Sequence, residues 1–317
     1  MRHTVVLALG GNALTPPDQS GAWEQQRANA VPLARAAAAL LHAGWRVAIS
    51  HGNGPQVGAL ALQQEAGASG VAAQPLHAVG AMTQGQIGSL LAMALAEVCD
   101  GGVSVVSVVT HMVVAEPAPG AVPTKPIGPF YPRERALELA AERGWAVVDD
   151  AGRGWRRVVD SPEPLEIVEA RAVRDLVDGG HLVIACGGGG IPVTRRDGRL
   201  DGVEAVIDKD LAAWRLAVEL GAGVLALVTG VDCVSLDHGT PRERAITEMS
   251  LAESEALDSA GHFPPGSMGP KVAAARRFVR DGGELAVITS AEHVLEAVEG
   301  RHGTRIVAGT GTVRASA

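Results

Sequence analysis

RVAISHGNGPQVGALALQQEA, residues 46–66, runs a short apolar segment into a glycine turn and then into a helical pattern. An apolar run of this length without alternation is the mark of a strand covered on both faces, because a strand with one wet face would alternate polar and apolar residues. Outward from it, strands of the same kind are expected at 4–9 (TVVLAL), 103–109 (VSVVSVV), 182–186 (LVIAC), 224–228 (VLALV) and 285–289 (LAVIT). Helical patterns fill the intervals at 23–43, 54–66, 81–98, 133–143, 165–178, 208–220, 250–258, 269–281 and 291–298. Strand and helix in alternation predict an α/β fold, a three-layer αβα sandwich on a mainly parallel sheet.

The glycine clusters fall where such a sheet keeps its ligand. Gly10, Gly11 and Asn12 follow the first strand, Gly52, Asn53 and Gly54 the second, and Gly187–Gly190 the strand that ends at Cys186. The carboxyl ends of parallel strands build the crevice, and glycine there lets backbone amides approach an anion. Neither standard nucleotide fingerprint is present. There is no GxxxxGK[ST], and GGGGIPVTRRDGRLDG, residues 187–202, runs into a hairpin rather than a helix.

Three lysines sit in unusual frames: Lys125 in PTKPIGPFY, Lys209 in GVEAVIDKDLAA and Lys271 in GSMGPKVAAARRF. Lysines set among glycine, proline and small residues in a chain of net charge −8 point to a compact anion, with phosphate leading. The same acidic balance argues against nucleic acid or an anionic membrane as partner. Cys99, Cys186 and Cys233 are odd in number and far apart, which predicts buried free thiols in a reducing, cytoplasmic setting. The opening apolar run is too short for a signal-peptide core. Residues 78–96 carry no charge, but Thr83, Gln84, Gln86 and Ser89 interrupt the run, so a buried or subunit-interface helix is expected there.

Residues 116–164 differ from the rest. They are rich in proline, glycine and charge, and read as an inserted lid subdomain that carries Lys125. Arg153, Arg156 and Arg157 are expected to brace this lid. His51, before a glycine turn, is read as a core residue rather than a base, and no His, Cys or carboxylate cluster has the spacing of a structural metal site.

GGNAL at 10–14, HGNGPQVG at 51–58, PTKPIGPFY at 123–131, GRGWRRVV at 152–159, CGGGGIPV at 186–193, GVEAVIDKDLAA at 202–213 and GSMGPK at 266–271 together resemble the motifs of carbamate kinases, members of the amino-acid-kinase superfamily. Relatives such as N-acetylglutamate kinase carry a phosphate-binding lysine two residues before the first glycine pair; here that position is Ala8, and the lid Lys125 is similar to the lysine that supplies the charge in carbamate kinases. The resemblance implies the amino-acid-kinase fold and reversible phosphoryl transfer between ATP and carbamate, with Mg²⁺ accompanying the nucleotide and a homodimer as the assembly. It implies that Lys209 and Lys271 contact the nucleotide phosphates and the transferring group, that Lys125 closes over the carbamate from the lid, and that Asp210 orients the lysines or the metal shell. Gly10, Gly11, Asn12, Gly52, Asn53 and Gly54 would cradle the substrate and the moving phosphoryl group, and Met268 and its neighbours would line the adenine side. An N-terminal lobe at 1–185 would serve the acceptor and a C-terminal lobe at 186–317 the nucleotide. Two alternatives stay open: a related kinase acting on another small carboxylate, and a nucleotide sensor without catalysis. Departures from the motifs fall at Gly230, Ser235 and His77.

Overall fold

The computed structural model describes residues 3–10, 13–16, 18–116, 122–150, 152, 154–264, 266–309 and 314–315. Among them, ten strands form one large sheet. Its middle is parallel and runs in the order Val105–Ser107, Leu182–Ile184, Arg46–His51, Thr4–Leu9, Val224–Val228, Leu285–Thr289. Thr304–Val307 then pairs antiparallel and leads to Arg244–Ser250 and Val234–Leu236 at the edge.

Every residue of Thr4–Leu9 is buried, and the strand serves two cores at once. Val6 and Ala8 pack into one cluster with Ala212, Leu216, Ala275 and Phe278. Val5, Leu7 and Leu9 face the other, with Leu33, Ala37, Leu90 and Leu91. Successive side chains on a strand point to opposite faces, so an unbroken apolar run is what a sheet covered on both sides requires. Lys209–Leu220 and Met268–Arg280 cover the first face, and Trp23–His42 and Leu76–Val98 the second. The expected three-layer sandwich is the observed one.

Two segments depart from the sequence reading. The single strand expected over 103–109 is split into Val105–Ser107, in the large sheet, and His111–Val114, in a separate sheet of four strands. The helix expected over 165–178 begins only at Ala170. Before it, Pro164–Ile167 is a strand pairing antiparallel with His111–Val114, and Glu169 closes the pairing by accepting the His111 backbone N–H at 2.7 Å. Helical spacing there loses to a tertiary strand partner.

The lid is a three-stranded antiparallel sheet of Lys125–Tyr131, Trp155–Val159 and Ala146–Asp149, with the helix Arg133–Arg143. The sheet occupies the middle of the expected 116–164 region, since Pro164 already belongs to the four-stranded sheet. Of the three arginines expected to brace it, Arg156 does so, its Nη1 3.0 Å from Asp150 and its Nε donating to the Gly128 carbonyl; Arg157 donates to Glu204 outside the lid, and Arg153 lies outside the described residues. Tyr131 donates to Glu65 at 2.9 Å and Arg143 pairs with the same carboxylate, which fastens the lid to the helix Gly54–Gly67.

The two expected lobes share one sheet, because Thr4–Leu9 pairs directly with Val224–Val228. Residues 78–96 lie in Leu76–Val98, whose Ile87, Leu90, Leu91 and Leu95 are buried, and no described helix is long and apolar enough to cross a membrane. The three cysteines are unpaired, but only Cys186 is buried; Cys99 and Cys233 are partly exposed.

Candidate active site

Pairing register brings four strand ends to one level. Leu9 lies opposite both His51 and Val228, and Val228 lies opposite Thr289. Just beyond those ends, Gly10, Gly52, Thr229, Gly230 and Ala291 line a cavity of about 550 Å³. Three helices aim their first turns into it, through Gly54 and Pro55, Lys209 and Asp210, and Pro270 and Lys271. Helix N-termini carry unsatisfied amides and a partial positive charge, so their convergence favours an anion.

The lysines singled out in the sequence meet here from three separate elements. Lys209 donates to Asp210 Oδ1 at 2.7 Å and Lys271 to Asp210 Oδ2 at 3.3 Å, while Lys125 reaches across from the lid to Asp208 Oδ2 at 2.8 Å. Asp210 is 3 % exposed and divides its two oxygens between two ammonium groups that would otherwise repel each other. Burial and then the Lys209 charge push the Lys271 ammonium down, and Asp210 opposes them. Burial and a like charge disfavour the charged ammonium, and a neighbouring carboxylate favours it.

Asp208 was passed over in the sequence reading. Its Oδ1 accepts the backbone amides of Asp210 and Leu211, so it caps the helix that carries Lys209, and its other oxygen holds Lys125. Burial alone would raise its carboxyl, but the Lys125 ammonium, the amide of Asp210 and the Lys209 charge together hold it below its ordinary value. An aspartate immediately before a helical run is the ordinary capping signal, and it was the clue in DKD.

Gly187–Gly190 has a purpose other than a phosphate cradle. A Cβ at Gly187 would stand 2.4 Å from His51 Nε2, one at Gly188 2.2 Å from Asn53 Nδ2, and one at Gly189 2.5 Å from the Ile207 carbonyl. The run lets the loops at 51–53 and 207 close over one another, with Gly188 alone of the four lining the cavity. Asn53 is fixed from the far side by donating to Thr83 at 2.8 Å. His51 is 1 % exposed, and burial lowers its imidazole to about 4, so it is neutral and sits behind the cavity rather than in it.

Of the expected site residues, Lys125, Lys209, Lys271, Asp210, Gly10, Gly52, Asn53 and Gly54 all line the cavity. Gly11 and Asn12 lie outside the described residues. Met268 does not line it: as the first residue of its helix it packs against the hydrophobic core, and Gly266, Ser267 and Pro270 present themselves instead. Among the described lining residues four cations, Lys125, Arg156, Lys209 and Lys271, face two carboxylates, Asp208 and Asp210. The excess positive charge suits a polyanion.

The Amino acid kinase family model matches residues 3–290. The carbamate kinase of Thermococcus kodakarensis is 48 % identical over 310 residues, covering 96 % of this chain and 98 % of that one. The carbamate kinase of Pyrococcus furiosus is 47 % identical over 97 % of this chain and 100 % of its own. Among solved structures, the carbamate kinase from Giardia lamblia bound to AMP-PNP superposes with a TM-score of 0.89 at 43 % identity, covering 96 % of this chain and 98 % of that one.

Proposed function

We infer the reaction from one premise: the chain belongs to the amino acid kinase family, in its carbamate kinase branch. It is an ATP-dependent kinase that transfers a phosphoryl group reversibly between ATP and carbamate, giving ADP and carbamoyl phosphate. The observation that carries the residue-level reading is the convergence of Lys125, Lys209 and Lys271 on Asp208 and Asp210 at one cavity.

In the forward direction a carbamate oxygen attacks the γ-phosphorus, the new O–P bond forms, and the bond to the β-phosphate oxygen breaks to release ADP. Carbamate is already an anion, so no proton has to be removed. The task is to hold two anions together and to stabilise charge spread over the transferring group. In our reading Lys209 and Lys271 bind the nucleotide phosphates and leave Asp210 partly as they do so. Lys125 exchanges Asp208 for the acceptor and the moving phosphoryl group. The turns at Gly10 and Gly52–Gly54, with the helix amides behind Gly54, hold the acceptor side. The neutral, enclosed His51 supports a mechanism without a titrating base.

Magnesium fits as the escort of the nucleotide. Asp208 and Asp210 are the only carboxylates among the described lining residues, and each of their oxygens already has an amide or ammonium partner. The ion would be held by phosphate oxygens and water, with Asp208 and Asp210 able to accept hydrogen bonds from its water as their lysines turn to phosphate, and its preference for a hydrated octahedral shell allows this. It supplies charge neutralisation between the phosphates.

Met82 and Met93 stand exposed on the Leu76–Val98 helix, which supports a homodimer formed through that face. Light scattering on the purified protein checks it, and a monomer at micromolar concentration would remove that part. The acidic surface and unpaired thiols support a cytosolic setting.

The deciding assay supplies purified protein with ADP, Mg²⁺ and carbamoyl phosphate and measures ATP formed, with N-acetylglutamate and ATP as the rival forward reaction. ATP formation from carbamoyl phosphate, without turnover of N-acetylglutamate, is expected. The reverse pattern would overturn the acceptor assignment.

A further inference from the structure

The loop at Asp232 meets the segments on either side of the short helix Val294–Val298, which brings Asp232, His293 and His302 together. One ligand atom from each lies within 4.8 Å of the other two, and this is the only such group of three or more His, Cys, Asp or Glu side chains among the described residues. The imidazoles of His293 and His302 stack with ring centroids 4.0 Å apart. Each imidazole nitrogen that carries no proton offers a lone pair to a metal ion. His302 Nδ1 is buried and has no hydrogen-bond partner. A buried polar nitrogen left unpaired costs free energy, which a ligand can recover.

We propose that Asp232, His293 and His302 form a binding site for a divalent transition-metal ion of the zinc type, separate from the magnesium that accompanies the nucleotide. Two imidazole nitrogens and one carboxylate oxygen suit zinc-like ions, whereas magnesium takes oxygen ligands and keeps its water. Ligand atoms on one such ion stand about 3–4 Å apart at bond lengths of roughly 2.0–2.2 Å, so modest side-chain rotation closes the present spacing. Asp232 is exposed and gives an entry path, and the two histidines are half-buried. Water completes the shell.

The loops that carry the ligands are held in place by other contacts. The Val234 amide donates to Thr304 Oγ1 at 2.8 Å, two residues beyond Asp232 and His302 respectively. The Ala297 amide donates to the His293 carbonyl at 2.9 Å. A Cβ at Gly303 would meet the Ile288 carbonyl at 2.9 Å, so the turn after His302 is seated tightly on the neighbouring strand. Cys233 is not part of the set: its thiol engages Thr304 and Gly303, and burial followed by the Asp232 charge raises it away from the thiolate. Gly230 and Ala291, each two residues before a ligand, line the active cavity, so the ion ties together two loops at its rim.

Metal-free protein is titrated with Co²⁺ and with Zn²⁺, by visible absorption and by calorimetry, without nucleotide or substrate. One ion per chain is expected, with cobalt bands of a low-coordinate nitrogen and oxygen site, and a rise in the unfolding temperature on zinc addition. His293→Ala and His302→Ala should each weaken binding at least tenfold and abolish both the bands and the temperature rise. Asp232→Asn, on the surface and safe for folding, should weaken binding by a similar factor. If wild type and the double variant His293→Ala/His302→Ala titrate identically, the site does not exist. None of these readouts depends on catalysis, so failure here leaves the phosphoryl-transfer reading standing.

Discussion

At the scale of single residues, the carboxylate of Asp210 is the unusual element of the site, because it is itself buried and pairs one oxygen with Lys209 and the other with Lys271. Lys209→Ala and Lys271→Ala are each expected to lower turnover by at least about a hundredfold, the cost of about 3 kcal/mol for removing one preorganised charge from a transition state. Asp210→Asn should do comparable harm, because Lys209 and Lys271 are then left facing each other without a counter-charge. Steady-state rates with circular dichroism as the folding control decide this, and near-normal turnover in a folded variant would refute the assignment. His51 makes a different prediction. Unfolded imidazole takes its proton near pH 6.5, and burial lets the folded one do so only at about 4, so between those values the unfolded chain binds more protons. Stability is therefore full above about pH 6.5 and declines as pH falls towards 4, by an amount on the order of 3 kcal/mol. Urea unfolding at several pH values should show that decline in wild type and a smaller one in His51→Asn; equal slopes would mean that other groups account for it. DKD shows how a clue was missed at this scale. Lys209 and Asp210 stand out as chemistry, while Asp208, the first residue of the helix expected over 208–220, is the cap that holds both the helix and the lid lysine.

Loops and the lid make the next scale. Gly188 combines a φ of +65° with an Asn53 side chain where its Cβ would go. Gly188→Ala is expected to displace Asn53, break its bond to Thr83 and cost both stability and activity, measured as a lower unfolding midpoint together with a lower kcat. An unchanged midpoint would show that the loop has room the packing denies. Lys125 belongs to the same scale because the lid sheet delivers it. Its partner Asp208 is half of an ion pair in a site open to solvent, whereas a phosphoryl group in a closed, dry site attracts it far more strongly. Lys125→Ala should reduce turnover while leaving ADP binding by calorimetry close to wild type. If ADP affinity fell as far as in Lys271→Ala and saturated turnover held, the lid would be a nucleotide clamp instead. The lid's existence was legible from its proline and glycine content. Its anchoring was not, since the Tyr131 and Arg143 contacts to Glu65 join residues far apart in the chain.

For the molecule as a whole, the pairing of Thr4–Leu9 with Val224–Val228 joins the two halves through the centre of one sheet. Thermal unfolding of the protein should therefore show one main cooperative transition for both halves, and two well-separated transitions would mean that 1–185 and 186–317 unfold independently. The order of apolar runs and helical patterns by itself determined the layers, because a strand without alternation has no stable place except between two helical faces. It also determined that the glycine turns would share one end of the sheet, since glycines after parallel strands fall together there. The three lysine frames marked residues that line one cavity. Only tertiary structure decided which groups those lysines face, that Gly187–Gly190 serves loop packing, that Met268 turns to the core, and that 164–167 is a strand rather than helix. The same holds for Asp232, His293 and His302, whose spacing along the chain follows no metal motif and whose proximity comes from sheet register. The physical reason is common to all of these. Periodicity and turn chemistry are local and survive in the order of residues, whereas hydrogen-bond partners, steric room and desolvation depend on groups brought together from distant parts of the chain.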